Sequence, residues 1–510
     1  MTTSKEVVTG TDAPHWSVKW DLVVGLEVHA QLITNSKAYS DDANAYGDHP
    51  NTNVSVVTLG HPGTLPVLNR AVVDHAIRLG LATSCTIASR MHFARKNYFY
   101  PDLPKGYQIT QDTTPICTLG HVDIPNTRDP DARDAHAALG MTRIGITRIH
   151  MEEDAGKSIH DVDPFNTLVD LNRAGVPLME IVSEPDIRSG QEAYDYLVEI
   201  RRVVRYLDIC DGNMEEGSLR CDANISLRPK GSDTFGTRCE VKNMNSFRNV
   251  MRAIEYEAQR QSEILDSGGT IHMETRTFDA ARNSTSGLRS KELAHDYRYF
   301  PEPDLAPLHV TDKQKEDARA TMPPLPRDLR AKYTEELGLS AYDAGVLTDD
   351  KATALYYEAV IARTKNYKSA ANWVMGDIRS WINERGLEMA DMPVPPERLA
   401  ELLELIDAGA VNHTIASQRL FPLMLEHPTQ APQELAQQHD LLQQRDEGAV
   451  EAATRAAMER YPEKVVAYRQ GNKGLLGLFM GEVMKATKGK ADPRQANDVV
   501  RRILEHENEQ

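Results

Sequence analysis

Carboxylates and histidines that could bind a metal ion recur in five short stretches of the first 305 residues. They are GLEVH at residues 25–29, HMEED at 150–154, PLMEIVSEPD at 177–186, MEEGSLRCD at 214–222 and HDYRYFPEPD at 295–304. Carboxylates gathered closely cannot all ionise without a counter-charge, and an oxygen-rich site with one imidazole suits Mg²⁺, which leaves positions for water and phosphates. The pattern predicts that four stretches converge on one magnesium-loaded nucleotide site. The alternative is that the acids are solvated faces of separate strands.

Alternation along an extended chain places some of these groups on shared faces. Successive side chains of a strand point to opposite faces, so Glu27 and His29 would share one face. The same period puts Asp222 on the polar face of a strand and turns Glu180 away from its apolar neighbours. Each stretch can therefore contribute one or two carboxylates to a common surface.

The HMEED stretch divides its acids between two faces. His150 and Glu152 lie together, whereas Glu153 lies with Ile149 and Met151.

The elements that position these groups predict an α+β fold. Strand patterns extend to about residue 305 and include two amphipathic helices, one beginning at Ser189 and one after Asn245. Prolines at 301–303 and 322–326 punctuate a linker, after which the pattern is helical. We expect a mixed or antiparallel-sheet domain at residues 1–305, an all-helical domain with proline-rich linkers at 306–426, and a small helical tail domain at 427–510.

Composition limits the class of protein. The formal net charge of −17 argues against broad, non-specific nucleic-acid binding but leaves room for a local basic patch. The sequence has neither a basic-then-apolar N-terminal signal nor an 18-residue apolar run, so we expect a cytoplasmic protein without membrane contact. Five cysteines without a CxxC pair indicate neither a zinc knuckle nor a disulfide framework.

The tail domain differs from the rest of the chain in charge. Residues 464–502 contain nine basic residues and three acidic ones, a balance of plus six. The surplus is compatible with a solvated helical face. Because the chain as a whole is acidic, we favour the interpretation that this basic tail contacts RNA phosphates.

Three cations are candidates for binding a nucleotide. Gly156-Lys157-Ser158 is not the end of a P-loop, because Met151 stands where the first glycine belongs; Lys157 is either a phosphate contact or a solvated lysine. Lys105 lies in an aromatic, proline-containing loop at residues 95–107 that suits a nucleotide or a tRNA end, the alternative being a packed structural loop. Arg220 lies on the polar face that carries Asp222.

Several long motifs resemble one family throughout the chain. They are GLEVHAQL, RKNYFYPDLPKGYQI, HMEEDAGKS, DLNRAGVPLMEIVSEPDIRS, MEEGSLRCDANISLRP, EVKNMNSF, DYRYFPEPDL and GLFMGEVMKATKGKADP. In this order they resemble the B subunit of bacterial aspartyl/glutamyl-tRNA amidotransferases.

The resemblance implies an ATP-dependent enzyme that phosphorylates the side-chain carboxyl of a mischarged glutamyl or aspartyl group on tRNA. Ammonia from a glutaminase A subunit would then displace the phosphate, and a small C subunit would complete a heterotrimer. The sequence has neither a serine-rich amidase signature nor a distinctive Cys–His pair, so another chain would make the ammonia. The implied fold is a catalytic "cradle" domain, a helical domain, and a mobile tail that contacts tRNA.

The resemblance also implies ligand sets. His29, Glu153 and Glu180 would bind one Mg²⁺, and a second, transient site engaged with ATP would use Glu27, Glu153, Glu215 and Asp222, with Glu216 as an alternative to Glu215. Some members have a cysteine-bound zinc after GLEVH, but the corresponding residues 36–42 contain no cysteine, so we predict no structural zinc.

Two other functions fit parts of the sequence. One is a tRNA-binding scaffold without chemistry of its own. The other is a free-standing, metal-dependent ligase of a small carboxylic acid, which would leave the basic tail unexplained. Both glutamyl-tRNA(Gln) and aspartyl-tRNA(Asn) remain open as substrates.

Overall fold

A computed structural model describes residues 15–128, 140–160, 162–290, 297–442, 447–487, 491 and 493–506. The chain forms two compact units, one ending at Leu325 and one beginning at Pro326. The first unit contains the strands and the second is helical, which confirms the predicted α+β fold.

The first unit contains sixteen described strands. Their bounds are β1 Trp20–Gln31, β2 Thr86–Ile87, β3 Arg90–Met91, β4 Ala94–Asn97, β5 Tyr107–Thr110, β6 Cys117–Pro125, β7 Met141–Glu153, β8 Lys157–Ile159, β9 Leu168–Asp170, β10 Pro177–Ser183, β11 Leu219–Pro229, β12 Cys239–Lys242, β13 Glu274–Asp279, β14 Ser284–Ser290, β15 Phe300–Pro301 and β16 Leu308–His309. Burial alternates along several of them, including β1 and β11.

Among the described residues, the largest sheet has nine strands in the order β14-β13-β12-β11-β1-β10-β7-β6-β2. Its neighbours are antiparallel except for the parallel pair of β12 and β13, so the sheet is mixed. Leu26 and Val28 of β1 are buried on the apolar face. The opposite, polar face carries the acids considered below.

Helices cover the apolar face. The helices of the first unit are α1 Arg70–Ala82, α2 Gly190–Tyr206, α3 Phe247–Asp266 and α4 Asp312–Thr321. The helix predicted from Ser189 is α2, whose Ser189 side chain accepts a hydrogen bond from the Glu192 N–H; Ser246 caps α3 in the same way. Helix α3 packs on β11 and α2 packs on β6. Burial of one face by helices leaves the other face free to form a site.

The second unit consists of short helices. They are α5 Pro326–Ala331, α6 Ala341–Leu347, α7 Lys351–Ile361, α8 Tyr367–Trp373, α9 Arg379–Arg385, α10 Pro396–Asp407, α11 His413–Ile415, α12 Phe421–Glu426, α13 Pro432–Gln438, α14 Glu447–Arg460, α15 Pro462–Arg469, α16 Leu476–Ala486 and α17 Pro493–His506. Within this unit, α14 to α17 enclose a hydrophobic cluster of their own, which includes Phe479 and Val500. In the described part of the chain, no helix is long and apolar enough to cross a membrane.

The first unit extends beyond the predicted domain boundary at residue 305. Strand β16 pairs with β3, and α4 packs on α1. The segment that follows residue 305 therefore still belongs to the first unit, which ends at Leu325. The further division at residues 426/427 stays a prediction. Of the basic tail residues, Lys488 and Lys490 lie outside the described residues.

Candidate active site on the polar face of the sheet

Acids and histidines from four adjacent strands form a row across the polar face. His29 of β1 faces Glu180 of β10, and Glu180 faces His150 of β7. On the other side of β1, Glu27 faces Asp222 of β11. Directly opposed residues of antiparallel strands share a face. We name this set the acidic row; its members are Asp222, Glu27, His29, Glu180, His150 and Glu152.

Glu180 lies at the centre of the row. Its Oε2 atom is 3.2 Å from Nε2 of His29 and 3.4 Å from Nε2 of His150. His29 Nε2 is also 3.7 Å from Oε1 of Glu27, and His150 Nε2 is 3.7 Å from Oε2 of Glu152. Among the described residues, two groups could hold a metal ion: Glu27 with His29 and Glu180, and His150 with Glu152 and Glu180. Within each group the ligand atoms lie within 4.8 Å of one another.

The donor chemistry of both groups fits Mg²⁺. Each offers two carboxylates and one imidazole, and Mg²⁺ is bound by a few carboxylates together with water and phosphate oxygens. Burial raises the pKa of Glu27, and the negative charges of Glu180 and Asp222 raise it further against the opposing effects of His29 and Lys242. Burial and the neighbouring carboxylates therefore disfavour the ionised form of Glu27, and a divalent cation bound there would favour it.

The histidines stabilise the ionised form of Glu180. Burial raises the pKa of Glu180, but the charge of His150 and hydrogen bonds with both histidines outweigh it and hold the pKa well below its usual range. Burial lowers the pKa of His150, yet Glu180 and Glu152 overcome this effect and raise it to about 9. For His29 the same balance also raises the pKa. His150 in particular therefore acts as a counter-charge to Glu180 at neutral pH.

A lysine stands at each end of the acidic row. Lys96 Nζ is 3.6 Å from Oε1 of Glu152. At the other end, Lys242 Nζ donates a hydrogen bond to Asp222 and lies 3.4 Å from Oε1 of Glu240 on β12. Burial raises the pKa of Glu152, but the charge of Lys96 and the hydrogen bond with His150 lower it to about 2. Each end of the row thus has a lysine as a counter-charge.

The acidic row opens into two cavities. The larger has a volume of about 680 Å³ and includes apolar side chains of Leu178, Met214 and Met244. The smaller has a volume of about 400 Å³ and includes Arg148 and Arg238. Volumes of 300–1,000 Å³ are typical of ligand pockets, so the row adjoins space for two substrates.

Glu153 does not join the acidic row. As the alternation predicted, its side chain leaves β7 on the face opposite to His150, where it pairs with Lys105 and accepts a hydrogen bond of 2.8 Å from the Ile109 N–H. It lines a separate cavity of about 170 Å³ that includes Tyr39 and Arg95. The structure therefore separates Glu153 from His29 and Glu180, with which the resemblance had grouped it.

Comparisons with known proteins agree with the motifs. A family model described as the GatB/GatE catalytic domain matches residues 22–316, and one described as the GatB domain matches residues 355–504. The chain is 51% identical over 490 residues to the B subunit of the aspartyl/glutamyl-tRNA(Asn/Gln) amidotransferase of Geotalea uraniireducens, covering 96% of this chain and 100% of that protein. The protein of the same name from Chlorobaculum tepidum is 48% identical over 490 residues, with the same coverage.

The chain belongs to the GatB family. The Solidesulfovibrio magneticus protein of the same name is 49% identical over 486 residues, which cover 95% of this chain and 99% of that protein. The resemblance inferred from the motifs is therefore confirmed.

The other predicted site residues of this GatB family member lie in different surroundings. Glu215 and Glu216 are exposed in a turn after α2, and their backbone N–H groups donate to Oδ1 of Asn213. Arg220 lines the larger cavity, where its Nη2 donates a hydrogen bond of 2.6 Å to Oδ2 of Asp154. Lys157 is exposed on β8. The structure brings Glu27, His29, Glu180 and Asp222 together and leaves the Glu215 and Lys157 side chains outside that group.

Sequence reasoning did not select four residues that the structure places at the site: His150, Glu152, Lys96 and Lys242. The first two were available from alternation, because they share a face that excludes Glu153. The lysines had no local signal, since they reach the row from β4 and β12. His295 and Asp296 of the fifth acidic stretch lie outside the described residues, and Glu302 and Asp304 pair with Arg95 away from the row.

Proposed function

We propose that this protein is the phosphorylating and amidating subunit of a tRNA-dependent amidotransferase. Its substrates would be glutamyl-tRNA(Gln), aspartyl-tRNA(Asn) or both, and its products the corresponding amidated tRNAs. The names of its relatives support the reaction. The structural observation that carries the proposal is the group of Glu27, His29 and Glu180, which opens into cavities large enough for two substrates.

The reaction has two balanced steps. In the first, a side-chain carboxylate oxygen of the aminoacyl group forms a bond to the γ-phosphorus of ATP, while the bond to the β,γ-bridging oxygen breaks and ADP leaves. In the second, ammonia attacks the acyl carbon, the carbon–oxygen bond to phosphate breaks, and phosphate leaves with a proton from the ammonia. The protein's task is to position the reactants and neutralise charge, as in other phosphoryl transfers.

Glu27, His29 and Glu180 would hold Mg²⁺, and His150 and Glu152 would complete an adjacent position that shares Glu180. Glu152, rather than Glu153, would thus be the carboxylate that the HMEED stretch contributes to a metal group, and Glu180 would be the shared ligand. Bound Mg²⁺ would neutralise phosphate oxygens that otherwise repel the incoming carboxylate. Burial and neighbouring acids raise the pKa of Glu27, and a bound cation would favour the ionised form of that carboxylate.

The proposed assembly is a heterotrimer. A glutaminase A subunit would supply ammonia and a small C subunit would join A to this chain, because nothing in the sequence indicates a glutaminase site. The predicted cradle of residues 1–305, together with β16 and α4, which belong to the same unit, would form the catalytic domain. The helical domain would follow up to residue 426, and residues 427–510 would form the tRNA-contacting tail. The surplus of basic residues in the tail supports contact with tRNA phosphates.

The test is an amidation assay of the assembled complex with each mischarged tRNA and with ammonium as nitrogen donor. We expect amide formation that requires both ATP and Mg²⁺, with at least one of the two tRNAs. A matched reaction with correctly charged tRNA should show no ATP turnover above background.

Two outcomes would favour the alternative functions, a tRNA-binding scaffold and a ligase of small carboxylic acids. Absence of Mg²⁺-dependent ATP turnover with both mischarged tRNAs would favour a scaffold protein. Full turnover with free glutamate or aspartate, without tRNA, would favour a ligase of small carboxylic acids.

A further inference from the structure

The two cavities beside the acidic row share a wall of charged residues. Of the described residues, five line both cavities: His29, Lys96, Glu152, Asp222 and Lys242. If the nucleotide and the acyl group occupy different cavities, the transferred phosphoryl group must pass this wall. Negative charge increases there as three phosphate oxygens approach a carboxylate, so cations of the wall are the groups that can stabilise the transfer.

Lys96 differs from the other lysines near the site in its hydrogen bonding. Lys105 and Lys242 donate to Glu153 and Asp222. In the described part of the chain, the ammonium group of Lys96 has no hydrogen-bond acceptor; it lies 3.6 Å from a single oxygen of Glu152 and 5.5 Å from the centre of the Tyr297 ring. An ammonium group has three donors, so those of Lys96 remain available to a ligand that enters either cavity.

The surroundings of Lys96 keep this ammonium group in place. Its side chain is 20% exposed, and β4 is paired on both sides, with β5 and with β15. The neighbouring Arg95 points elsewhere and is held by Glu302.

We propose that Lys96 is a catalytic residue that contacts the transferred γ-phosphoryl group. This inference rests on the proposed function. The ammonium group donates hydrogen bonds to the equatorial phosphoryl oxygens while the bond to ADP breaks and the bond to the side-chain carboxylate forms. Lys242 is less suited to this role, because Asp222 and Glu240 already neutralise its charge. Lys96 thus stabilises mainly the transition state, in which the equatorial oxygens of the phosphoryl group lie between the two cavities.

The first test measures phosphoryl transfer in the assembled complex. Lys96→Met should lower the rate of mischarged-tRNA-dependent ATP turnover about 100-fold or more, as expected for loss of a transition-state donor. Lys96→Arg should restore a substantial part of that rate, because it keeps the charge. The control is Lys332→Met, which removes a lysine paired with a glutamate (Glu358) in the helical unit; it should leave turnover unchanged.

The second test measures binding rather than turnover. The affinity of Lys96→Met for Mg²⁺ and ADP should stay close to wild type, whereas its affinity for Mg²⁺, ADP and aluminium fluoride, which imitates the transferred phosphoryl group, should fall about 100-fold. Equal losses for both ligands, or no loss for either, would overturn the assignment. Lys96→Gln provides a second neutral variant, measured in the same way, if Lys96→Met does not fold.

The proposed function and the role of Lys96 fail in different ways. If the wild-type complex has no tRNA-dependent ATP turnover, the proposed function is wrong. If the wild type turns over and Lys96→Met equals it, only the role of Lys96 is wrong.

Discussion

Nε2 of His29 lies 3.2 Å from Oε2 of Glu180, across the antiparallel pair of β1 and β10. The two residues are far apart in sequence, and their contact depends on the register of the central sheet. Because β1 is also paired along nearly its whole length with β11, the position of His29 is fixed from both sides. The candidate metal site is therefore a product of the most regular part of the fold, where positioning is most accurate.

Replacement of Glu180 should affect both candidate metal groups, because it is their shared member. We expect Glu180→Gln to reduce tRNA-dependent amidation about 100-fold or more through loss of a central electrostatic contribution. Binding of Mn²⁺, followed by electron paramagnetic resonance, should weaken at least about tenfold. The control is Glu263→Gln on the exposed surface of α3, which should change neither quantity. Unaltered Mn²⁺ binding by Glu180→Gln would contradict the assignment.

The neighbours Glu152 and Glu153 provide a second, sharper comparison. Glu152→Gln should weaken Mn²⁺ binding about tenfold or more. Glu153→Gln should change it by no more than about twofold, because Glu153 lies on the other face of β7 and shares no ligand group with Glu180. Glu153→Gln should instead lower the melting temperature, since it leaves Lys105 without its buried charge partner, a destabilisation of about 3 kcal/mol. The reverse pattern of metal affinities would restore the ligand set implied by the resemblance.

These two glutamates also show how far the sequence determines the site. Period-two alternation predicts that Glu27 shares a face with His29 and that Glu152 and Glu153 do not share one, because both statements concern a single strand. The order β11-β1-β10-β7 is a tertiary property. Without it, nothing shows that the face of Glu152 meets Glu180, and a shift of one residue exchanges the two glutamates.

The domain boundary and the position of Lys96 depend on contacts between segments that are distant in sequence, and the local sequence does not indicate such contacts. The proline-rich segment after residue 300 predicts a boundary, but β16 and α4 fold back on the first unit because they pair with β3 and pack on α1. Lys96 reaches the acidic row from β4, which belongs to a different sheet. Helices α2 and α3, in contrast, were predicted from their own caps and apolar stripes, which are local properties.

Lys37 should give the stability of the protein a measurable pH dependence. Its side chain is fully buried and donates to the carbonyl oxygen of Asn53, and burial lowers its pKa from 10.5 to about 8. Since the pKa is lower in the folded state, the unfolded state binds more protons between these values, and stability rises with pH in that window. Between pH 7.5 and 9.5 the wild type should gain about 2 kcal/mol relative to Lys37→Met.

Melting temperatures of both proteins across this pH range provide the measurement. Loss of the packing contacts of Lys37 adds an offset that does not depend on pH, so the quantity to follow is how the stability difference between the two proteins changes with pH. A difference that stays constant from pH 7.5 to 9.5 would show that the pKa of Lys37 is not lowered in the folded protein.

The basic tail can be tested at two exposed lysines of the cluster formed by α14 to α17. Part of the tail's positive charge is engaged within the tail, since Arg502 pairs with Glu447 and Lys473 pairs with Glu505. Lys464 and Lys485 are exposed and, in the described part of the tail, form no ion pair. The double variant Lys464→Ala/Lys485→Ala should therefore weaken tRNA binding and reduce the slope of log K against log salt by about 2, one unit for each lysine–phosphate interaction removed.

The control for this variant removes a lysine from another surface. Lys313→Ala on α4 takes away an exposed lysine of the first unit and should leave the salt slope unchanged. A truncation is a complementary test, and the structure indicates where to cut. Deletion of all residues after 426 would remove α13, which packs on α10. Deletion of all residues after 442 keeps that contact and removes only the cluster formed by α14 to α17. If the chain ending at residue 442 binds tRNA with wild-type affinity in a filter-binding assay, the tail does not contribute to recognition.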